Sequence, residues 1–243
     1  MTEDRSKQRA LELGALSFAY QPIVAASTRV PAYWECLLRL GGSATRPIGA
    51  TGFIEAAEHM GDMPALDRRV LDMALDALER HAAAALSVNL SGLTVADRGW
   101  LSALNRRLGA APALGPRLVV EITETAALGD IPAAARFVSE LRALDVRVAL
   151  DDFGAGHTSF RNLMALKVDI VKIDAGYAAG IAEAPRQQSF VCSLADAARD
   201  QGLSVVAEGA MSDADEKFLV GEGVEFFQGS RYGKPVSTPP WEK

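Results

Sequence analysis

Residues 18–40 read FAYQPIVAASTRVPAYWECLLRL, two apolar stretches joined by the five residues AASTR. Both stretches carry the aromatic and β-branched residues of strands. A parallel pair needs a crossover of roughly a dozen residues or more, so a connection this short permits only a hairpin. The first strand is therefore expected to run antiparallel to the second. From there the pattern changes. Strands are predicted at 86–90, 118–123, 146–150, 168–173, 203–207 and 224–227. Helices are predicted at 52–59, 64–81, 96–108, 132–144, 159–166, 186–201 and 213–221. Alternating strands and helices make a parallel sheet. Eight strands in 243 residues predict an α/β fold of the closed (β/α)8 TIM-like type, with an antiparallel first strand. An open doubly wound sheet is the alternative, but no Gly-rich phosphate loop follows the first strand. Residues 1–15 read as an N-terminal lead-in and 16–243 as one barrel domain.

Composition narrows the function. Hydrophobic residues make up 49% of the chain, enough for a full core, and the net charge is −6. No basic stripe interleaved with aromatics is present, which argues against duplex nucleic acid as a partner. No apolar run approaches the ~18 residues that span a membrane, and the charged N-terminus lacks a signal-peptide core. Cys36 and Cys192 both lie in apolar segments and read as reduced core residues of a cytoplasmic protein.

Most predicted strands end on a polar residue that a core strand does not need. Glu35 stands in YWECLLRL, Asn89 in LSVNLS, Glu121 in LVVEITE, and Asp151 with Asp152 in VALDDFG. Lys172 stands in DIVKID, Glu208 in VVAEG and Gln228 in EFFQG. Singly each has a plain reading: turn chemistry for the aspartates, a core arginine partner for Glu121, solvation for Lys172. Together they say more. An ionised carboxylate in apolar surroundings is costly unless something pairs with it. The carboxyl ends of barrel strands meet on one face, where barrel active sites lie. Glu35, Glu121, Asp151, Asp152 and Glu208 bring five negative charges there and Lys172 returns one. Such a ring repels itself, and two divalent cations would neutralise it. Oxygen donors select Mg²⁺ or Mn²⁺ over zinc, and Asn89 is a neutral donor of the same kind. Two metals bridged by adjacent aspartates are suited to in-line phosphoryl displacement.

The same fragments, in this order, resemble the EAL domain family of cyclic-di-GMP phosphodiesterases. They are YQPIV at 20–24, ECLLR at 35–39, VNLS at 88–91, EITE at 121–124, DDFGAGHTS at 151–159, VKID at 171–174, VVAEG at 205–209 and QG at 228–229. Each is weak alone, but together they cover nearly the whole chain. The resemblance implies a barrel with an antiparallel first strand, two Mg²⁺ or Mn²⁺ ions, and hydrolysis of cyclic-di-GMP to linear pGpG. It gives Glu35, Asn89, Glu121 and Asp151 to one ion, and Asp151, Asp152 and Glu208 to the other. Lys172 is implied to hydrogen-bond the attacking water. The base stays open among Lys172, Asp152 and a metal-activated water. Arg39 is implied to meet a ligand phosphate, with Gln21, Leu38 and Gln228 near the nucleotide. Glu124 is implied to anchor the loop 153–159, which in the family links the metal site to dimerisation, so a homodimer is expected.

The chain departs from the family pattern in places. Cys36 replaces an alanine, a packing change. His157 and Thr158 stand where tyrosine and serine are usual. Met211 in AEGAM stands where the family often has glutamate. The lost carboxylate is expected to act behind the metal ligands, where such losses cost about 10–100-fold in affinity or activity, and Met211→Glu is expected to recover part of that. The alternative function is a catalytically weak or inactive barrel acting as a cyclic-di-GMP receptor or protein-interaction module. A different two-metal phosphoesterase is disfavoured by Arg39 and Gln21. His59 and His81 read as surface or packing residues, and Asp174 as either a ligand contact or a turn cap.

Overall fold

The computed structural model describes residues 16–41, 48–154, 160–209, 211–239 and 241. Strand β1 (Leu16–Ala25) returns as β2 (Pro31–Leu40) in an antiparallel pair that sets Gln21 opposite Glu35 and Ile23 opposite Tyr33. The turn is tight: Ala25 N–H donates to Val30 O at 3.0 Å, and Arg29 takes a φ of 60°. A two-residue strand, β3 (Ile48–Gly49), follows, then helices α1 (Thr51–Met60) and α2 (Met63–Arg80).

The rest alternates. In order come β4 (Leu86–Leu90), α3 (Arg98–Ala110), β5 (Leu118–Thr123), α4 (Glu124–Gly129), α5 (Ile131–Arg142), β6 (Arg147–Phe153) and α6 (Phe160–Leu166). Then come β7 (Ile170–Ile173), α7 (Ala175–Ala178), α8 (Pro185–Gln201), β8 (Ser204–Glu208), α9 (Asp213–Gly221) and β9 (Phe226–Gln228). The sheet order is β1-β9-β8-β7-β6-β5-β4-β2-β3, and β1 also pairs with β2. Eight strands thus close into a barrel, with β3 on the outer edge of β2. β1 is antiparallel to both its neighbours, β2 and β9, while β2 and β4 through β9 run parallel. The fold is the predicted one.

Boundaries move for local reasons. β6 runs past its predicted end through Asp151 and Asp152 to Phe153. β7 starts at Ile170 rather than 168, because Asp169 is spent on its neighbours. Its Oδ2 accepts from Val148 N–H at 2.9 Å and its carbonyl accepts from Ser204 N–H at 3.0 Å. β3, α4 and α7 are too short for any periodicity to announce them.

Two apolar layers hold the barrel. The outer one lies between strands and helices and includes Leu75, Trp100, Leu104, Val120, Leu150 and Val171. The inner one plugs the barrel with Ile23, Tyr33, Val119, Ala149, Ile170 and Val206. Side chains along a strand alternate faces with a period of two. Tyr33, Val119, Ala149, Ile170 and Val206 therefore place Glu35, Glu121, Asp151, Lys172 and Glu208 one layer higher, on the same inner face. β1 runs the other way, so Gln21 lies two residues before Ile23 instead of after it.

Both cysteines are free; Cys36 is buried, but Cys192 is only partly so, on α8, and is not the core residue expected. Among the described residues no helix is long and apolar enough to cross a membrane. The lead-in 1–15 lies outside the described residues, as do His157 and Thr158.

Candidate active site

The polar residues of the parallel strands converge at the carboxyl end of the barrel around one buried ammonium. Lys172 is 1% exposed. Its Nζ lies 2.6 Å from Glu121 Oε2, 2.7 Å from Glu208 Oε1 and 3.0 Å from Asp151 Oδ1. Glu35 is satisfied differently. Its Oε1 accepts from Asn89 Nδ2 at 2.6 Å, and its Oε2 accepts from Gln228 Nε2. Gln228 in turn reaches Gln21 Oε1 at 3.5 Å, and Gln21 Nε2 donates to Gly233 O at 3.3 Å.

A depression opens above this ring in two lobes that share Glu35 and Asp151. The smaller, about 310 Å³, is lined by Gln21, Lys172, Glu208 and Gln228. The larger, about 670 Å³, is lined by Leu38, Arg39, Asn89 and Asp152 and extends to α1 and α2. Arg39 Nη1 donates to Leu38 O at 2.9 Å. Gly209 and Gly229 shape the smaller lobe by close approach: a Cβ at Gly229 would lie 2.1 Å from Gly209 O.

The charge balance leaves its mark on titration. Burial, then Glu35 and Asp151, hold the Glu121 carboxyl well above its ordinary range, against the pull of Lys172. Burial and Asp151 do the same to Glu208. Burial opposes the charge on Lys172, but Glu121, Glu35, Asp151 and Glu208 outweigh it and push the ammonium upward. Acids and base move in the same sense because carboxylates outnumber cations, and the ring retains protons to reduce its own repulsion.

The donor set fits hard divalent cations. Oxygens of Asp151, Asp152 and Glu208 lie within 4.8 Å of one another. Among the described residues, Glu121 Oε1 and Gln228 Oε1 are buried with no hydrogen-bond partner, and Asp151 Oδ1 meets the ammonium without hydrogen-bond alignment. Carboxylate oxygens left open around excess negative charge are what Mg²⁺ or Mn²⁺ recognises. Among the described residues, Glu35, Glu121 and Asp151 do not form such a group. Glu121 Oε2 is turned to Lys172, and both Glu35 oxygens are taken by amides.

Asp152 holds its place at a cost. Its φ is +56°, a left-handed conformation that costs a non-glycine residue roughly 1–2 kcal/mol. The backbone just beyond it is tied down: Glu124, 3% exposed, accepts from Gly154 N–H at 3.0 Å. Residues 155–159 of the loop 153–159 lie outside the described residues.

Sequence reasoning missed some participants. Asp67 on α2 is 4% exposed and lines the larger lobe. Its Oδ2 accepts from Ser91 N–H at 3.1 Å and Thr94 Oγ1 at 2.6 Å, bracing the segment just beyond Asn89. An acid between Leu66 and Val70 on an apolar helix face was the available signal. Asp174 caps α7, its Oδ1 accepting from Gly176 N–H at 2.8 Å. Met211 corrects an expectation: its side chain is 5% exposed and packs in the outer apolar layer, lining neither lobe.

Fold and site together define a barrel whose strand ends form an acidic, oxygen-donor centre built around a buried lysine. Residues 4–235 match the EAL domain family, and the chain belongs to it. It is 30% identical over 234 residues to the bifunctional diguanylate cyclase/cyclic di-GMP phosphodiesterase MucR of Pseudomonas aeruginosa, covering 94% of this chain and 34% of that one. It is 31% identical over 224 residues to the cyclic di-GMP phosphodiesterase PdeL of Escherichia coli, covering 89% of this chain and 61% of that one. The chain thus spans about a third of MucR and under two thirds of PdeL. Among solved structures, the PaMucR phosphodiesterase in complex with c-di-GMP superposes with a TM-score of 0.84 at 29% identity, covering 98% of both chains.

Proposed function

We propose that the chain hydrolyses cyclic-di-GMP to linear pGpG with two Mg²⁺ or Mn²⁺ ions. The observation that carries this reading is the convergence of Glu121, Asp151 and Glu208 on Lys172, with Asp152, Glu35 and Asn89 beside them. Two bound cations would polarise the phosphodiester and lower the pKa of the attacking water. Glu35, Asn89, Glu121 and Asp151 would hold one, and Asp151, Asp152 and Glu208 the other. Arg39 supplies a charge-assisted contact to a non-reacting phosphate. Leu38, Gln21 and Gln228 pack or hydrogen-bond the nucleotide. Lys172 hydrogen-bonds the water and orients its lone pair toward phosphorus. A P–O bond forms to the water oxygen as the bond to the ribose 3′ oxygen breaks, leaving a 3′ hydroxyl and a 5′ phosphate. Asp152 would take the water proton, unless a bound cation has already released it.

Incubating the protein with cyclic-di-GMP and Mn²⁺ or Mg²⁺ is expected to yield pGpG, and excess chelator to stop it. Ca²⁺, larger and looser in geometry, is expected to inhibit. Full turnover in chelator would sink the two-metal mechanism. The second reading is a receptor. Tight binding with no turnover at saturating Mn²⁺ would establish it. We also infer a cytoplasmic homodimer joined through the face bearing the loop 153–159. Sedimentation showing a fully active monomer at high concentration would reject that.

A further inference from the structure

Asp152 keeps its left-handed φ of +56° only if the backbone that follows cannot relax. Glu124 secures one side of that backbone. The other side is secured by two aromatic residues that line neither lobe of the depression. Phe153, 1% exposed, stacks on Phe190 of α8 with ring centroids 5.8 Å apart and planes at 22°. Gly154, at φ +106°, lies against Tyr177 of α7. A Cβ there would sit 3.0 and 3.1 Å from two Tyr177 ring carbons and 3.4 Å from Phe190. The two rings hold each other at 4.8 Å. Phe153 O also accepts from Asp174 N–H at 3.3 Å. The segment leaving β6 after Asp152 is thereby clamped to the segment leaving β7 after Lys172.

We propose that Tyr177 and Phe190 are positioning residues for Asp152: their rings hold Phe153 and Gly154 so that the Asp152 carboxylate stays beside Asp151 and Glu208. Neither touches the reacting atoms. The proposal rests on the metal-dependent reading above for its effect on activity, but not for its effect on geometry. If the rings only filled space, any apolar side chain would serve and the metal site would not sense their loss.

The test uses Tyr177→Ala, Phe190→Ala and the conservative Tyr177→Phe, each checked for cooperative melting without metal. Mn²⁺ affinity is measured by calorimetry, and kcat and KM are measured separately for cyclic-di-GMP. Both alanine variants are expected to bind Mn²⁺ about 10–100-fold more weakly, the usual effect of losing a group that orients a ligand. At saturating Mn²⁺, KM is expected to stay within about twofold. Tyr177→Phe is expected to behave as the parent. Tyr177→Leu, which keeps apolar bulk without a ring, replaces any alanine variant that does not fold. Parental Mn²⁺ affinity in folded ring-deleted variants would overturn the proposal. If the parent protein itself binds no Mn²⁺, the metal-dependent reading fails, and a crystal structure of Tyr177→Ala then decides the positioning claim. Loss of the positive φ at Asp152 supports it, and retention overturns it.

Discussion

Lys172 Nζ and Glu121 Oε2 lie 2.6 Å apart, and neither side chain has access to solvent beyond 1%. Breaking a buried pair by removing one partner costs about 3–5 kcal/mol, because the other charge is stranded. Glu121 can escape part of that cost by binding a proton. In Lys172→Met its folded pKa would rise further above the unfolded value. The native state would then bind more protons than the unfolded state, so stability would fall as pH rises. Because burial already raises Glu121 to about 8 in the parent, Lys172→Met is expected to be destabilised more at pH 9.5 than at pH 7.5, and to lose at least about 100-fold in turnover. Metal-free denaturant titrations at both pH values check this, and an equal loss at each would contradict it.

Glu35→Ala and Asp151→Ala are both expected to fall below a tenth of parental turnover, but to differ in metal-free stability. Asp151 is one of three carboxylates on a single ammonium, so removing it relieves repulsion. Its melting temperature should hold or rise. Glu35 instead accepts from the Asn89 and Gln228 amides. Its loss leaves both without that acceptor; water can replace it at exposed Asn89, but at buried Gln228 the loss costs about 1–3 kcal/mol. Glu35→Ala should therefore melt lower than Asp151→Ala. Calorimetry in chelator decides the order, and the reverse order would mean that repulsion dominates at Glu35 as well.

Asp67 gives a separate pH signature. Burial raises its carboxyl from 3.8 to about 6, against the hydrogen bonds from Thr94 and Ser91, and Glu58 adds to the rise. A raised acid binds its proton more tightly when folded. Its contribution is favourable below the unfolded pKa and is lost as pH rises through the folded one. The whole effect is at most roughly 3 kcal/mol at ~1.4 kcal/mol per unit. Both hydrogen bonds end on Oδ2. Asp67→Asn can keep them with its amide oxygen while its NH₂ faces the larger lobe. It is expected to be more stable than the parent at pH 7.5 and to lose the decline between about pH 4 and pH 6. Parallel stability–pH curves for the two proteins would refute the assignment.

The architecture was legible wherever it depended on neighbours along the chain. AASTR is too short for anything but a hairpin, and that settles the direction of β1. The inner ring was legible because alternation along a strand ties Glu121 to Val119 and Lys172 to Ile170. What depends on neighbours through space was not legible. Asp67 reads as an error on an apolar helix face until Ser91 and Thr94 are seen beside it. Tyr177 sits on a four-residue helix that has no period, and its partner Phe190 lies on another element. Glu35 and Glu121 read as equivalent acids, yet one is held by amides and the other by an ammonium.

Met211 shows the same limit, and the outcome expected of it changes accordingly. Its place after Glu208 suggested a side chain behind the metal ligands. Beyond Gly209, whose φ is +103°, the Met211 side chain instead belongs to the apolar layer outside the barrel. The nearby cation is occupied: Arg231 donates to Met211 O at 3.3 Å and pairs with Asp213 and Glu216. A carboxylate at 211 would have to displace those pairings or remain buried without a partner, which costs several kcal/mol. Met211→Glu is therefore expected to lower the melting temperature by roughly 5–15 °C, taking about 2–4 °C per kcal/mol for a domain of this size, with no gain in turnover or Mn²⁺ affinity. Melting curves and Mn²⁺ titrations of the variant check both halves. A variant that melts with the parent and turns over faster would mean that Arg231 swings to meet the new acid, and that the position communicates with Glu208 after all.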